Sequence, residues 1–468
     1  MPIRIMTAVL ALLALLLPTA SYAEQRARAE STDARMDRYL DAYVDANHVP
    51  GLAVAFIDAD GAQTHLLGED GDGREVGTDT PFLIGSVAKT MTATVVMKLQ
   101  SAGKLSLDDH VSDHLDFLRG SDPTIEQLLT HTAGFSSADG LSVADRHDND
   151  PGAVERAVRD LEHTGTTGEY EYTSADFLVL GAVVEAVTAK PYAEVLENQL
   201  LTPLGMDATG ATAAAAEALP PGHRLWWGRP VEFDPDFDES GTPYASVITT
   251  LSDLTRYARA QLGVSKGLPA AIRDPMQRPH VESSRDHYGL GWSITEVDGT
   301  RIVHHTGATP GYFTHVLLVP EEGVAVVLLA NTYAESRAPS LAAAARDIWR
   351  ITHGDDPELT GGDPVLSTLP WILSALVLLG AVGMALSRRT LRRRGLRVAV
   401  GLGCLVLVVA LWMLPGIFGQ DLRALRIWMP DAAWSLIAGM ATWSLAAVGF
   451  LVPRGEAVRE DEAAPEPA

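Results

Sequence analysis

The 468-residue sequence predicts a mixed domain of helices and strands (α/β, of the α+β type), followed by three transmembrane helices. Strand-like segments lie near both ends of the first 354 residues, helical patterns fill the middle, and three long apolar runs follow. No internal repeat is visible, so residues 31–354 are interpreted as one globular domain.

Strands are expected where apolar and β-branched segments adjoin turn residues. The segment GLAVAFI at 51–57 is such a strand, and residues near 315–332 form a predicted hairpin with Pro-Glu-Glu-Gly as its turn. Between these strands the sequence predicts mainly helices, including TIEQLLTH, SADFLVLGAVVEAVT and LSDLTRYARAQL. A further helix, SLAAAARDIWRIT, is predicted at 340–352.

The two ends of the chain differ from this domain. Residues 1–23 have the basic start, apolar run and small-residue cleavage site of a signal peptide, with an uncleaved membrane anchor as the alternative. Residues 355–368 are interpreted as a linker, and 453–468 as an acidic cytoplasmic tail. The apolar runs between them are each close to the ~20 residues that span a bilayer as a helix; they are 369–386, 398–417 and 432–452.

The positions of the arginines predict how the chain lies in the membrane. Six arginines fall between Arg388 and Arg397, in the loop that joins the first two apolar runs. Loops rich in Lys and Arg stay in the cytoplasm, so the large domain before this loop is expected outside. The sequence therefore predicts a multi-pass cell-membrane protein whose soluble domain is extracytoplasmic.

Charge and cysteine content exclude several classes of protein. The formal net charge of the chain is −24. Residues 24–368 are more negative than the whole chain, because the apolar region at 369–452 holds eight arginines and only two aspartates. A domain this acidic is not expected to bind nucleic acid. The only cysteine, Cys404, lies within the second apolar run, so the soluble domain has neither a disulfide nor a thiolate site.

Chemistry is suggested by the segment GSVAKTMTATVVMKLQ at 85–100, which predicts a helix that is apolar nearly all round. Ser86 and Lys89 are three residues apart, so they share a helix face, and burial lowers a lysine pKa until the amine can act as a base. A helix N-cap is the alternative role for Ser86. Ser101 and Lys104 repeat the spacing, but they follow the helix, where the lysine is expected to be solvated and charged.

Six ordered segments make this pattern specific: FLIGSVAKTMTA, TIEQLLTHTAGF, YEYTSADFLVLGAVVEAVT, LLTPLGM, YGLGW and HHTGATPGYFT. Together they resemble the serine β-lactamase-related family, which includes class C β-lactamases, penicillin-binding proteins, esterases and D-amino-acid peptidases. The resemblance covers roughly residues 33–352. It implies a serine β-lactamase/DD-peptidase-like fold, with an antiparallel sheet flanked by helices, a mostly helical lobe, and the active site where the two meet.

The resemblance also implies roles for individual residues. Ser86 matches the nucleophile that forms an acyl-enzyme, Lys89 its base, and Tyr172 the tyrosine that exchanges a proton with this lysine. The backbone N–H groups of Ser86 and Ala308 match the oxyanion hole. The implied substrate-binding residues are Ser174, His305, Thr306, Gly307 and Ala308.

Two residues depart from the pattern of this family. Ser174 stands where the family most often has Asn, and it can make fewer hydrogen bonds. His305 stands where β-lactamases usually have Lys, and a histidine is mostly neutral at neutral pH. Efficient β-lactamase activity is therefore less expected than peptide or ester hydrolysis.

Two other features are not assigned to catalysis. LDDHVSDHLD at 107–116 contains histidines and aspartates, but a solvated loop is favoured over a metal site. His131 and Thr132 match a segment of the family with no catalytic role and are expected to pack. No phosphate loop or dinucleotide fingerprint is present, so neither a cofactor nor a metal is expected.

These observations predict a membrane-anchored, extracytoplasmic serine hydrolase. The expected substrates are small molecules, peptides, D-amino-acid amides or esters, with peptidoglycan peptides among them. The alternative is a penicillin-recognising receptor that deacylates slowly and signals through its membrane helices.

Overall fold

The computed structural model describes residues 31–118, 122–144, 146–283, 286–387, 394–417 and 421–452. The predicted signal peptide at 1–23 and the acidic tail from 453 lie outside the described residues. The described chain divides into two compact units. The first comprises 31–224, 230–333 and 337–362; the second comprises 225–229, 334–336 and the residues from 363 onward.

The first unit is organised around an eight-stranded sheet with the strand order β2-β1-β12-β11-β10-β9-β8-β7, in which every neighbouring pair is antiparallel. Its strands come from both ends of the domain, as the resemblance implies. The strands are β1 Gly51–Ile57, β2 Ala62–Gly68, β3 Phe82–Leu83, β4 Gly222–Trp226, β5 Arg229–Phe233, β6 Ile248–Thr249, β7 Val281–Glu282, β8 His287–Tyr288, β9 Ser293–Val297, β10 Thr300–Thr309, β11 Tyr312–Val319, β12 Val324–Ala330 and β13 Thr332–Tyr333.

Helices occupy most of the chain between and after these strands. The α-helices are α1 Thr32–Asn47, α2 Ala88–Ser101, α3 Ile125–Leu129, α4 Ser137–Ser142, α5 Ala153–Arg159, α6 Ser174–Thr188, α7 Tyr192–Leu196, α8 Thr202–Leu204, α9 Ala213–Ala216, α10 Leu251–Leu262, α11 Ala270–Met276, α12 Ala338–Thr352, α13 Pro364–Ser387, α14 Arg394–Ile417, α15 Leu422–Trp428 and α16 Pro430–Leu451. The predicted first strand, the β11–β12 hairpin and the four helices named from the sequence are all confirmed.

The sheet is covered on both faces, which explains why its central strands are almost continuously apolar. Every residue of β11 is buried, and so is nearly all of β1 and β12. Helix α12 packs on β11 and β12, where α1 joins it. Helix α10 packs on the same sheet through β1, β11 and β12.

Helix α2 lies in the middle of the first unit. All of its residues from Ala88 to Met97 are buried, so it contacts other elements on every side. Three buried threonines of this helix are hydrogen-bonded to neighbouring segments. The hydroxyl of Thr92 donates to the carbonyl of Pro243 at 2.6 Å and lies 2.5 Å from the Tyr192 hydroxyl. Thr90 and Thr94 both bond to the Tyr257 hydroxyl. These bonds fix the helix that carries Lys89.

The second unit consists mainly of helices α13, α14 and α16. Each is long and apolar enough to cross a membrane, as the sequence predicts. Helix α13 begins at Pro364, ahead of the apolar run at 369, and helix α15 lies in the short connection before α16. Glycines allow close packing in this unit, since a Cβ at Gly401 would meet the side chain of Leu451 at 2.6 Å.

Candidate active site

Ser86 lies in a turn of 3₁₀-helix, Gly85–Val87, that leads directly into α2. Its side chain makes no capping bond to the helix backbone, so the N-cap alternative is wrong. Instead, Nζ of Lys89 lies 2.9 Å from Oγ of Ser86. The structure therefore brings the predicted nucleophile and base into direct contact.

Lys89 is fully buried, and the oxygen atoms within hydrogen-bond distance of its Nζ are uncharged. Besides Ser86, its Nζ lies 3.3 Å from both Oγ of Ser174 and the carbonyl oxygen of Tyr244. Burial lowers the pKa of Lys89 from 10.5 to about 7, against a smaller opposing effect of Asp176. At neutral pH a large fraction of this amine is unprotonated and able to accept the proton of Ser86.

Tyr172 is positioned beside this pair, just ahead of α6. Nζ of Lys89 lies 5.0 Å from the centre of the Tyr172 ring, and the Tyr172 hydroxyl is hydrogen-bonded to Ser86. Although 36% of the residue is exposed, burial around the hydroxyl raises its pKa, and the bond with Ser86 opposes this only in part. Tyr172 therefore stays a neutral phenol at neutral pH, able to donate or relay a proton.

The edge of β10 passes very close to the Ser86 turn. Strand β9 pairs with β10 only as far as His304, so residues 305–309 are paired on one side alone, with β11. A Cβ at Gly85 would lie 2.6 Å from the backbone nitrogen of Ala308, and a Cβ at Gly307 would collide with the Ile84 carbonyl. Only glycine at these two positions permits the approach that brings the backbones of Ser86 and Ala308 together.

His305 lies on the same strand, but it is 3% exposed and both its ring nitrogens have protein partners. Nδ1 donates to the Thr306 carbonyl at 2.7 Å, and Nε2 lies 3.2 Å from the Tyr288 hydroxyl. Burial, reinforced by Lys89, lowers the pKa of His305 to about 3. The imidazole is thus neutral, as expected, and it packs between Tyr172 and Tyr288.

Four residues that surround this site were not predicted from the sequence to belong to it. The carbonyl of Tyr244 accepts from Lys89, Tyr288 bonds to His305, and a buried pair, His131 and Asp176, lies beneath Tyr172. Tyr288 and Asp176 belong to quoted segments, YGLGW and YTSAD, but only their burial in the fold shows what they contact. Neighbouring His304 points away from His305, toward His315, as strand alternation predicts.

The remaining sequence-based candidates lie away from this site. Ser101 is the last residue of α2, and both it and Lys104 are exposed. Residues 107–116 form a partly exposed loop with one turn of 3₁₀-helix at Val111–Asp113, in which His114 pairs with Asp109. Among the described residues, no group of three or more His, Cys, Asp or Glu side chains is arranged to hold a metal ion.

Comparison with known proteins agrees with this arrangement. The model of the Beta-lactamase family matches residues 36–348. Penicillin-binding protein 4 of Amycolatopsis lactamdurans is 32% identical over 320 residues, which are 62% of this chain and 83% of that protein. Protein flp of Staphylococcus aureus strain N315 is 26% identical over 325 residues, which are 64% of this chain and 63% of that protein.

Solved structures show the same fold. The octameric penicillin-binding protein homologue of Pyrococcus abyssi superposes with a TM-score of 0.59 at 22% identity, covering 72% of this chain and 80% of that one. D-alanine carboxypeptidase AmpC of Burkholderia cenocepacia also gives 0.59 at 22% identity, covering 69% and 99%. With an antiparallel sheet between helices and a family model that matches most of the domain, the chain belongs to the Beta-lactamase family.

Proposed function

We propose that this chain is a membrane-anchored serine hydrolase whose catalytic domain faces out of the cytoplasm and forms an acyl-enzyme on Ser86. The observation that carries the proposal is the 2.9 Å contact between Ser86 and a fully buried lysine whose pKa is about 7. A serine hydroxyl becomes a strong nucleophile only when an adjacent base takes its proton, and Lys89 is such a base.

The reaction follows from these positions. Oγ of Ser86 attacks the substrate carbonyl carbon while its proton passes to Nζ of Lys89. The oxyanion that forms accepts hydrogen bonds from the N–H groups of Ser86 and Ala308. Tyr172 then donates its proton to the leaving nitrogen or oxygen and is reprotonated by Lys89. Water attacks the resulting ester, with the same groups acting in reverse, and releases the acid.

The surroundings of the site favour some substrates over others. The described groups nearest Lys89 include no second ammonium, because a neutral His305 takes the place where β-lactamases present a lysine. An anionic β-lactam therefore lacks a fixed positive partner, and the acidic domain repels it further. Neutral esters and D-amino-acid amides are the substrates that the site fits best, and peptides, including those of the cell wall, fit where the group that leaves carries no free carboxylate.

Active-site labelling tests the nucleophile. Ser86→Ala is expected to abolish covalent labelling by a fluorophosphonate and by a fluorescent penicillin. Ser101→Ala is the matched control, because Ser101 also precedes a lysine by three residues but is exposed. Labelling that survives in Ser86→Ala would overturn the proposal, and hydrolysis of an ester and D-Ala-peptide panel by the unlabelled wild-type protein would identify the substrate class.

Reporter fusions test the orientation in the membrane. A reporter that works only outside the cytoplasm is expected to be active after Gly362, before α13, and silent after Arg394, at the start of α14. The motivating observation is the run of arginines between these helices. The opposite pattern would place the domain in the cytoplasm and exclude cell-wall substrates.

A penicillin-recognising receptor remains the second candidate. It is favoured by the similarity to a protein named penicillin-binding protein 4 and by Ser174, which offers fewer hydrogen bonds than the usual Asn. The two candidates differ in deacylation. Hydrolysis of an ester or a D-Ala peptide over many turnovers indicates a hydrolase, whereas acylation that stops after a single turnover with every substrate of the panel indicates a receptor.

A further inference from the structure

The buried pair His131 and Asp176 lies beneath Tyr172 and has no role in the reaction described above. Nδ1 of His131 is 2.6 Å from Oδ2 of Asp176, and both side chains are almost wholly buried. Asp176 lies in the first turn of α6, and His131 follows α3. A buried carboxyl is costly unless it is hydrogen-bonded, and more costly still if it is ionised and unpaired.

His131 holds both neighbours of Tyr172. Its carbonyl accepts from the N–H of Glu171 at 2.9 Å, and the N–H of Thr173 donates to its ring Nδ1 at 3.4 Å. Its ring packs against the Tyr172 ring, with centroids 4.5 Å apart. The backbone of His131 is left-handed, with φ of 57°, a conformation that non-glycine residues seldom adopt. These contacts of His131 fix both the backbone and the ring of Tyr172.

The hydrogen-bond geometry locates the proton of the pair. The bond between Nδ1 of His131 and Oδ2 of Asp176 is 2.6 Å long and holds one proton, either on the nitrogen or on the oxygen. Oδ1 of Asp176 has no hydrogen-bond partner among the described residues. An ionised carboxylate without a partner on one oxygen is far more costly in a buried site than a neutral carboxyl.

We propose that Asp176 is protonated in the working protein and donates to Nδ1 of His131, and that this neutral pair is a positioning device that holds Tyr172 beside Ser86 and Lys89. The inference rests on the proposed function, since it assigns Tyr172 and Lys89 to the acylation step. Neither His131 nor Asp176 touches the reacting atoms. Without an ionised carboxylate nearby, Lys89 has no buried counter-ion to keep it protonated.

Electrostatics agree with a neutral pair. Burial raises the pKa of Asp176 well above its usual range, with Lys89 opposing, and burial lowers the pKa of His131 well below its own. The other titratable groups that face the pair and Lys89 are four tyrosines, a neutral imidazole and one acid: Tyr170, Tyr172, Tyr244, Tyr288, His305 and Glu171. Burial raises the pKa of Tyr170 to about 12 and that of Tyr288 further.

Two substitutions of Asp176 test the proposal, with the acylation rate of the full-length protein by a neutral fluorophosphonate as the readout. Asp176→Asn copies a protonated carboxyl, because its NH₂ can still donate to His131. It is expected to keep most of the rate and to leave the midpoint of the pH–rate profile where the wild type has it. Asp176→Ala removes the donor, and the rate is expected to fall by about tenfold to a hundredfold, since small misplacements of catalytic groups cost this much.

The opposite results would overturn the proposal. An ionised Asp176 stabilises the Lys89 ammonium, so Asp176→Asn would then move the pH midpoint clearly downward. An unchanged rate in Asp176→Ala would show that the pair positions nothing. Asp347→Ala is the matched control: Asp347 is an equally buried acid, bonded to Tyr39 at 2.9 Å, and its loss is expected to affect stability alone.

A spectroscopic measurement keeps the test decisive if Asp176→Ala does not fold. The infrared spectrum is expected to contain the C=O stretch of a protonated carboxyl. This band is expected to disappear in Asp176→Asn and to persist in the control variant Asp347→Ala. Absence of that Asp176-dependent band at neutral pH would contradict the proposal. The protonation state of Asp176 does not decide whether Ser86 is the residue that is labelled, so the failure of this inference and the failure of the proposed function are distinguishable.

Discussion

The two ends of helix α2 carry the same sequence spacing in opposite environments. At its beginning, Ser86 and Lys89 touch, and Lys89 is fully buried; at its end, Ser101 and Lys104 are exposed. A third lysine, Lys98, is intermediate: it is half-buried, its Nζ donates to the Gln199 carbonyl, and burial lowers its pKa. The comparison shows that the spacing places two side chains on one face, while burial decides whether the lysine is a base.

Replacing the lysine at each end should give the largest contrast. Lys89→Met fills the same buried space without an amine, and acylation is expected to slow by roughly 10²–10⁴, the usual contribution of a general base. Lys104→Met is the matched control and is expected to leave the rate within experimental error. Single-turnover labelling kinetics measure both, and equal rates for the two variants would remove the distinction between the ends of the helix.

The lateral bonds of α2 provide a second contrast, in stability. Thr92→Val keeps the shape of the side chain but leaves the Tyr192 hydroxyl and the Pro243 carbonyl without their partner. The free energy of unfolding is expected to fall by about 1–3 kcal/mol, the cost of unsatisfied buried polar groups. Chemical denaturation measures this, with the exposed Ser101→Ala as control; a loss no larger than that of the control would show that these bonds do not anchor the helix.

The smallest expected effect concerns His305, which stands where a second lysine would face the site. His305→Lys is expected to improve acylation by penicillin relative to a neutral ester by about tenfold, if ~1.4 kcal/mol of charge attraction is recovered. Because the pKa of His305 is about 3, the wild-type imidazole stays neutral from about pH 6 to about pH 8. His305 therefore adds no pH dependence to substrate preference in that range.

Steady-state kinetics on a matched ester and β-lactam pair, at fixed ionic strength, measure this preference. An unchanged ratio in His305→Lys would show that this position does not set charge selectivity. The preference for ester or peptide substrates would then rest on the acidity of the domain alone.

The sequence was sufficient for much of the fold, because apolar periodicity and turn residues are local signals. It located β1, the β11–β12 hairpin and helix α6 with the bounds that the structure has or close to them. The close approach of Gly307 to the Ser86 turn, by contrast, joins segments more than 200 residues apart in sequence, and only the ordered family segments indicated it.

The environment of each side chain was harder to predict. The resemblance made His305 a substrate-binding residue, but whether its ring nitrogens are free depends on Tyr288, which comes from a neighbouring part of the sheet. His131 was expected only to pack, and its partner Asp176 was not singled out, since their contact spans 45 residues of sequence. A pKa depends on the sum of such contacts and on burial, which no local pattern contains.

The pH dependence of acylation tests the central claim most directly, namely that burial makes Lys89 a neutral base. A neutral fluorophosphonate does not itself titrate, so its rate of reaction with Ser86 reports the protonation of the protein. The account predicts a rate that rises with pH and has its midpoint near 7 or below it, because burial lowers the pKa of Lys89 to about 7 and a neutral Asp176 does not oppose this effect. A midpoint near the ordinary lysine value of about 10.4, or a rate independent of pH, would contradict it.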